Sequence, residues 1–214
     1  MEIIKHFGDK ALSLQKLLNS ANIAIDQISI STQRIILAEQ VHSANVEIVT
    51  EENTNKPIPD IDGLITGQKN LFLCIKTADC IPIFIWDENQ KVIAALHSGR
   101  AGTEHNIVGK AVEIMKNKFS CDPRNIRVEL GPSICGKCYH VDQKTFNDFI
   151  NKTRIEQTQP NLNLKKVVIS NLLEIGIRSD KIFDYQICTK ENENYFSFRE
   201  DLTSERQISI IGMV

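Results

Sequence analysis

The segment that decides the fold is LFLCIKTADCIPIFIWDENQKVIAALH, residues 71–97. It contains three short apolar runs that are typical of strands, Leu71 to Lys76, Ile81 to Trp86 and Lys91 to Leu96. A turn signal at residues 87–89 separates the second run from the third. Because these strands follow one another without an intervening helix, we expect mixed or antiparallel pairing rather than a doubly wound parallel sheet.

Outward from this segment, the chain alternates between further strand and helix patterns. The remaining predicted strands are Arg34 to Ala38, Asn45 to Val49, Ile126 to Leu130 and Gln207 to Val214. The predicted helices are Asp9 to Leu18, a helix with Thr103 as its N-cap that runs to Phe119, Gln143 to Thr153 and Lys166 to Ile177. This pattern predicts an α/β protein of the α+β type, with a single domain over residues 1–214.

Composition excludes several classes of protein. The 214 residues include 25 basic and 27 acidic side chains, a net charge of −2, which argues against sequence-independent binding to nucleic acid. The longest apolar run is far shorter than the roughly 20 residues that span a membrane. Six cysteines without regular spacing indicate reduced thiols, so we expect a cytoplasmic protein. The sequence leaves the oligomeric state open.

Three potential metal ligands stand at the ends of predicted strands: His42, Cys80 and His97. Imidazole and thiolate together suit zinc, and three protein ligands leave a fourth position for water or substrate, as catalytic zinc sites do. Each residue also has an ordinary interpretation. A histidine at a strand end is often a satisfied polar residue, and Cys80 could be a small core residue.

The loop that follows His97 has features of an anion site. Gly99 and Gly102 permit close backbone approach, a helix begins after them, and Arg100 offers a charged fork to phosphate or carboxylate. A tight strand-to-helix turn explains the glycines equally well. Arg199 could also reach an anion, or only a surface carboxylate.

Other candidates carry weaker signals. Asp79 could accept a proton or cap a strand end, and Asp62 with its following glycine is first of all a turn signal. Cys135 and Cys138 form a lone C-x-x-C, which without a second pair does not make a four-thiolate zinc site. These two thiols could form a redox pair, but unrelated thiols in a glycine-containing turn are the simpler interpretation.

A series of short strings, in order along the chain, resembles the YfiH family, whose members are also called laccase-domain or multicopper polyphenol oxidase-like proteins. Many members are described as purine nucleoside phosphorylases. The strings are Gln40-Val41-His42, Asp62-Gly63-Leu64-Ile65-Thr66, Thr77-Ala78-Asp79-Cys80-Ile81-Pro82-Ile83, His97-Ser98-Gly99, Gly102-Thr103, Gly131-Pro132-Ser133-Ile134, Cys138-Tyr139, Ile187-Cys188-Thr189 and Tyr195-Phe196-Ser197-Phe198-Arg199.

The resemblance implies a zinc ion held by two histidines and one cysteine, at the positions of His42, Cys80 and His97. It also implies a layered α/β/β/α sandwich and phosphorolysis of adenosine, inosine and 5′-methylthioadenosine, with some adenosine deamination. Purine nucleoside and phosphate are therefore the expected partners. In this interpretation Arg100 and Arg199 bind substrate or phosphate, and Asp79 moves a proton.

The sequence departs from the family pattern in three places. The family has Trp-Arg-Gly-Thr where this chain has Arg100-Ala101-Gly102-Thr103, so the arginine has moved by one position. The chain begins close to the Gly8-Asp9 step, so we expect it to be short at the N-terminus relative to the family. At residues 135–138 a C-x-x-C replaces two adjacent cysteines, and His140 replaces an acidic residue.

Two alternative functions belong to other classes. A hydrolase acting on peptidoglycan precursors would use Cys80 as nucleophile and His97 as base. A nucleoside-binding protein could keep the fold without turnover, given the moved arginine. Copper oxidation is the least favoured, because one His-Cys-His site lacks the several copper centres that four-electron reduction of oxygen requires.

Overall fold

The computed structural model describes residues 2–25, 27–54, 56–158 and 160–214. Its strands are β1 (Ile3–Phe7), β2 (Asn22–Ile25), β3 (Ile28–Ser31), β4 (Ile35–Leu37), β5 (Val46–Ile48), β6 (Gly63–Thr66), β7 (Phe72–Thr77), β8 (Ile81–Asp87), β9 (Val92–Ser98), β10 (Arg127–Leu130), β11 (Ile182–Asp184) and β12 (Gln207–Met213). Its α-helices are α1 (Leu14–Leu18), α2 (Arg100–Glu104), α3 (Ile107–Phe119), α4 (Gln143–Thr153), α5 (Leu164–Glu174) and α6 (Phe198–Asp201).

The strands form two mixed sheets and a separate hairpin. One sheet has the order β1-β12-β7-β4, the other has the order β11-β10-β8-β9-β6-β5, and β2 pairs with β3. Most neighbours are antiparallel, including β8 with β9, whereas β4–β7, β5–β6 and β10–β11 are parallel. The mixed pairing predicted from adjacent strands is confirmed.

Three apolar cores separate the layers. The first lies between the two sheets, where Leu73 and Ile75 of β7 meet Phe84 and Trp86 of β8. The second packs the opposite face of the six-stranded sheet against α3, α4 and α5, and the third packs α1 and the β2–β3 hairpin on the outer face of the four-stranded sheet. The predicted α/β/β/α layering is therefore confirmed. Because both faces of β8 are covered, all seven of its residues are buried, which explains its continuous apolar sequence.

Some element boundaries differ from the prediction. Thr103 is not the N-cap of the long helix: it lies inside the short helix α2, and its hydroxyl donates to the Gly99 carbonyl over 2.8 Å. The helix α3 begins at Ile107, where the side chain of Asn106 accepts the Gly109 N–H over 3.0 Å. Likewise α1 begins only at Leu14, since residues 9–12 form a turn.

Five strands lie outside the sequence prediction: β1, β2, β3, β6 and β11. Of these, β6 matters most for function, because it pairs with β9 and brings Gly63 opposite Leu96. This register places Asp62, the residue before β6, beside the end of β9. None of the described helices combines the length and apolar character needed to cross a bilayer.

Candidate functional site

His42, Cys80 and His97, the three residues predicted as metal ligands, come together in space. His42 follows β4, Cys80 lies between β7 and β8, and His97 belongs to β9. Their ligand atoms all lie within 4.8 Å of one another. The two imidazole rings meet edge to face, with centroids 4.8 Å apart. His97 is buried and His42 is exposed, so one side of the cluster is open to solvent.

Asp62 holds both histidines of the cluster in place. Its Oδ1 lies 2.6 Å from Nδ1 of His97, and the same oxygen accepts the backbone N–H of His42 over 3.1 Å. Its Oδ2 accepts the backbone N–H of Val41 and both the N–H and the hydroxyl of Ser43. This carboxylate therefore leaves Nε2 of His97 for a metal, an arrangement that typically orients histidine ligands.

Asp62 was interpreted from the sequence only as part of a turn. Local pattern offered no stronger signal, because its partner His97 lies 35 positions away in the sequence. Burial tends to raise the pKa of Asp62, but the hydrogen bonds from His97 and Ser43 outweigh burial and leave that pKa below its usual value. Burial lowers the pKa of His97 despite the opposing effect of Asp62, which favours the neutral imidazole that metal binding requires.

The Cys80 thiol is protonated in the absence of a metal. Burial, with the nearby charges of Asp79 and Asp62, raises the pKa of Cys80 to about 12. A thiol with such a pKa is a poor nucleophile, whereas a coordinated cation would deprotonate it outright.

Glycine at position 99 lets the three predicted ligands approach one another. A Cβ atom there would lie 2.8 Å from Sγ of Cys80 and 3.2 Å from Cδ2 of His42. Any larger residue would push against two ligands at once. The donor set, the buried carboxylate behind His97 and this close approach together fit a metal ion with three protein ligands.

Asp79, predicted as a proton carrier, is a buried residue with a left-handed backbone (φ 85°). Its Oδ1 accepts the hydroxyls of Thr189 (2.7 Å) and Ser197 (2.8 Å), and its Oδ2 accepts the Arg199 N–H over 2.7 Å. These bonds join the loop that carries Cys80 to two distant segments of the chain.

A cavity of about 500 Å³ opens beside the three ligands. Four cationic side chains line it: Lys76, Arg100, Arg199 and Arg206. Its apolar and aromatic walls come from Leu14, Ile134, Tyr139, Leu164 and Phe198. The cavity has the size and mixed lining of small-molecule sites.

Both arginines predicted to bind substrate lie in this cavity. Arg100 donates to the buried Glu104 carboxylate over 2.5 Å, which also accepts from Lys152 over 2.9 Å. The guanidinium of Arg199 lies 5.1 Å from the centre of the Tyr139 ring, and its Nη1 donates to the His140 carbonyl over 2.9 Å.

Cys135 and Cys138 are not isolated thiols. Their sulfur atoms group with that of Cys188 and with the carboxylate of Glu191, all within 4.8 Å of one another. No local pattern connects positions 135 and 188, because their contact depends on the tertiary fold. All six cysteines have free thiols.

The fold and the site together define a class: a mixed two-sheet α/β protein with a two-histidine, one-cysteine cluster at its strand ends, facing a cationic cavity. The chain belongs to the family described as multi-copper polyphenol oxidoreductase laccase, whose model matches residues 2–214. The resemblance seen in the sequence motifs is thereby confirmed.

Relatives and solved structures agree with this assignment. The chain is 33% identical to a purine nucleoside phosphorylase of Campylobacter jejuni, over 84% of this chain and 77% of that protein. It is 30% identical to a purine nucleoside phosphorylase of Streptomyces coelicolor, over 86% and 77%. The structure of YlmD from Geobacillus stearothermophilus superposes with a TM-score of 0.81 at 25% identity, covering 99% of this chain and 90% of that one. Bacillus licheniformis YfiH shares the fold, with a TM-score of 0.84 at 24% identity and coverage of 99% and 93%.

Proposed function

We propose that this protein is a zinc-dependent purine nucleoside phosphorylase that acts on adenosine, inosine and 5′-methylthioadenosine. The observation that carries the proposal is the position of the His42, Cys80 and His97 cluster at the edge of a cavity lined by four cationic side chains. The names of the relatives in Campylobacter jejuni and Streptomyces coelicolor support the same activity.

Phosphate is the substrate that the charges of the cavity favour. Arg100 and Arg199 can present two N–H groups to a phosphate in a fork, and Lys76 and Arg206 add positive charge. The one carboxylate among the described lining residues belongs to Asp79, and it already accepts three hydrogen bonds. A dianion entering the cavity therefore meets little like charge.

The apolar side of the cavity suits the purine. Ile134, Leu164 and Phe198 offer apolar surface, and Tyr139 adds an aromatic face. Held between this wall and the cations, the nucleoside presents C1′ of its ribose to the phosphate. A C1′–O bond then forms as the bond from C1′ to the purine breaks, giving ribose 1-phosphate and the free base. Holding both reactants in line is the main contribution of the chain.

The donor set fits zinc better than copper. A thiolate and two imidazoles with one open position are common in catalytic zinc sites, and none of the described cavity-lining residues is the axial methionine typical of copper electron-transfer sites. When bound, zinc would supply a Lewis acid that polarises a substrate atom or a water molecule. Adenosine deamination, with water added and ammonia released, is the side activity we propose for the same site.

Asp79 stays our candidate for moving a proton to the departing base. Its three hydrogen bonds also support a second role, which is to position the Cys80 loop against Ser197 and Arg199. The pH dependence of kcat separates these roles. If Asp79 transfers a proton, kcat depends on its protonation state; if Asp79 only positions the loop, kcat does not.

A cysteine hydrolase is the rival that the geometry supports next, because Cys80, His97 and Asp62 follow one another as a nucleophile, a base and an orienting carboxylate do. Two observations favour the metal site instead. The pKa of Cys80 is raised to about 12, and His42 completes a set of three ligands that a hydrolase would not need. A nucleoside-binding protein without turnover is the other rival.

Product analysis distinguishes these functions. The purified protein is incubated with adenosine, inosine or 5′-methylthioadenosine, with and without inorganic phosphate, and the bases and sugars are separated by chromatography. We expect free base and the matching sugar 1-phosphate in equal amounts, and only with phosphate present; the sugar is ribose for adenosine and inosine and 5-methylthioribose for 5′-methylthioadenosine. Free base without phosphate would indicate a nucleoside hydrolase, and binding without any product would indicate a binding protein. Neither binding nor product would favour the cysteine hydrolase acting on peptidoglycan precursors.

A further inference from the structure

The cluster of Cys135, Cys138, Cys188 and Glu191 lies outside the cavity that holds His42, Cys80 and His97. Its four ligand atoms lie within 4.8 Å of one another, a spread that a small shift of the side chains can close around a single ion. Three sulfur atoms and one carboxylate oxygen are donors that zinc accepts in tetrahedral sites, and a C-x-x-C turn supplies two of them in many such sites.

The backbone holds the two turns of this cluster together. Residues 133 and 188 form a parallel bridge, in which the Ser133 N–H donates to the Ile187 carbonyl and the Thr189 N–H donates to the Ser133 carbonyl, each over 3.1 Å. Within the first turn, the Cys138 N–H donates to the Cys135 carbonyl over 3.0 Å. These main-chain hydrogen bonds hold the segments that carry the three cysteines beside each other.

The surroundings of the sulfur atoms also suit a bound cation. The Cys135 N–H points at Sγ of Cys188 over 3.3 Å, a contact that stabilises a thiolate more than a thiol. Lys190 lies between Cys188 and Glu191 in the sequence, and its ammonium group pairs with Glu200 over 2.9 Å. Its interaction with Cys138 and Cys188 is a smaller contribution beside that pair.

We propose that Cys135, Cys138, Cys188 and Glu191 bind a second zinc ion, separate from the one at His42, Cys80 and His97. Four protein donors leave no open position, so this zinc is structural rather than catalytic. On binding, each cysteine thiol releases its proton to solvent as its sulfur bonds to the metal.

The second zinc fixes one wall of the substrate cavity. Ile134 precedes Cys135 and Tyr139 follows Cys138, and both residues line the cavity. Thr189 follows Cys188 and donates its hydroxyl to Asp79 over 2.7 Å. An ion that joins the two turns therefore fixes the position of the Tyr139 ring relative to the Thr189–Asp79 hydrogen bond.

Zinc content per chain tests the proposal. Wild type, Cys80→Ala, Cys138→Ser and the double variant are purified under reducing conditions, and bound metal is measured by elemental analysis and native mass spectrometry. We expect about two zinc ions in wild type, one in each single variant and none in the double variant. One zinc in wild type that Cys80→Ala removes and Cys138→Ser retains would overturn the proposal. One zinc that Cys138→Ser removes and Cys80→Ala retains would support it, while contradicting the metal site of the proposed function.

A variant at an exposed residue tests the same site independently of whether Cys138→Ser folds. Glu191 is exposed, so Glu191→Gln should fold normally and yet release the second zinc to a chelator faster than wild type. Glu193→Gln, an exposed residue in the same loop, is the matched control and should release it at the wild-type rate. Equal release from both variants would overturn the assignment of Glu191. A Cys135–Cys138 disulfide in freshly isolated wild type, in place of the second zinc, would overturn the site itself.

Discussion

At the scale of single residues, Asp62 has the largest influence on the proposed metal site. Its Oδ1 contacts Nδ1 of His97, and both of its oxygens accept N–H groups from the loop that carries His42. The backbone of His42 is left-handed (φ 60°), a conformation that a non-glycine residue keeps only when its surroundings hold it. Asp62 supplies those surroundings for one ligand and orients the other.

Asp62→Asn should weaken zinc binding at this site by about 10- to 100-fold, the usual effect of losing a carboxylate behind a histidine ligand. In wild type these N–H and O–H donors face the carboxylate of Asp62. In the variant the amide NH₂ group, itself a donor, faces some of them, so the loop and the imidazole lose their fixed positions. Competition with a chromogenic chelator measures the affinity. Asp60→Asn, an exposed neighbour with a left-handed backbone, is the control. Unchanged zinc affinity in Asp62→Asn would contradict the role given to this carboxylate.

Arg100→Ala should raise the KM for phosphate by about 10- to 100-fold, because a charged hydrogen bond contributes about 1.5 to 3 kcal/mol. The KM for the nucleoside should change much less, since the purine lies against the apolar wall. Steady-state kinetics with each substrate varied in turn gives both constants. Arg124→Ala, at an exposed arginine paired with Asp122, should leave both constants unchanged. Equal changes in both constants for Arg100→Ala would argue against a phosphate site at this residue.

At the scale of elements, the loop between β7 and β8 is tied to the segments around Thr189 and α6 through Asp79. Asp79→Asn should destabilise the protein by about 1 to 3 kcal/mol, because three donors lose a buried charged acceptor. Urea unfolding measures this loss, and the pH profile of kcat tests the catalytic role. If Asp79 carries the proton, a pH-dependent step in the wild-type kcat profile is missing from the profile of Asp79→Asn. If Asp79 only positions its loop, kcat falls while the shape of the profile stays.

A second tie joins α2 to α4 through Glu104, whose side chain is only 2% exposed and pairs with Arg100 and Lys152. Burial tends to raise the pKa of Glu104, but the hydrogen bonds from Lys152 and Arg100 outweigh burial and hold it below the ordinary 4.5. The ionised carboxylate therefore contributes stability above about pH 4.5, and this contribution is lost as the pH falls through the lowered pKa of the folded state.

Glu104→Gln should accordingly cost about 1 to 3 kcal/mol of unfolding free energy at pH 7. The difference from wild type should shrink in acid, as Glu104 becomes protonated in the wild-type protein. Urea unfolding at several pH values follows both quantities. A constant difference between the two proteins down to strongly acidic pH would contradict the ionised pair.

Element prediction succeeded for the longer buried strands, whereas the four-residue strand β6 was missed although all of it is buried. The strands β7, β8 and β9 lie at the centre of the sheets, so their apolar runs are long and clear. The helix α4 was predicted with its observed bounds, Gln143–Thr153, because Phe146 and Phe149 face the core at helical spacing. By contrast, β1 and β11 are edge strands with mostly half-buried residues, and β2–β3 is a short hairpin, so their patterns are weak.

At the scale of the whole molecule, the layered sandwich was predictable only through the family motifs, because local pattern does not reveal which sheets pack together. His42, Cys80 and His97 were singled out as candidate ligands at the ends of predicted strands and matched the family's ligand positions, and the structure brings them together. Asp62 was missed because its partner His97 lies 35 positions away in the sequence. The link between Cys138 and Cys188 was missed for the same reason, since only the tertiary fold closes these long loops.

The central claim is that the site of His42, Cys80 and His97 is where phosphorolysis takes place. The most direct test is the rate of phosphate-dependent adenine release from adenosine, measured for wild type and for Cys80→Ala with the folded state of both checked by circular dichroism. We predict that wild type releases adenine and ribose 1-phosphate together, and that Cys80→Ala, though folded, lacks both zinc at this site and activity. Full activity in the folded Cys80→Ala protein, or no phosphate-dependent product from the zinc-loaded wild type, would contradict the account.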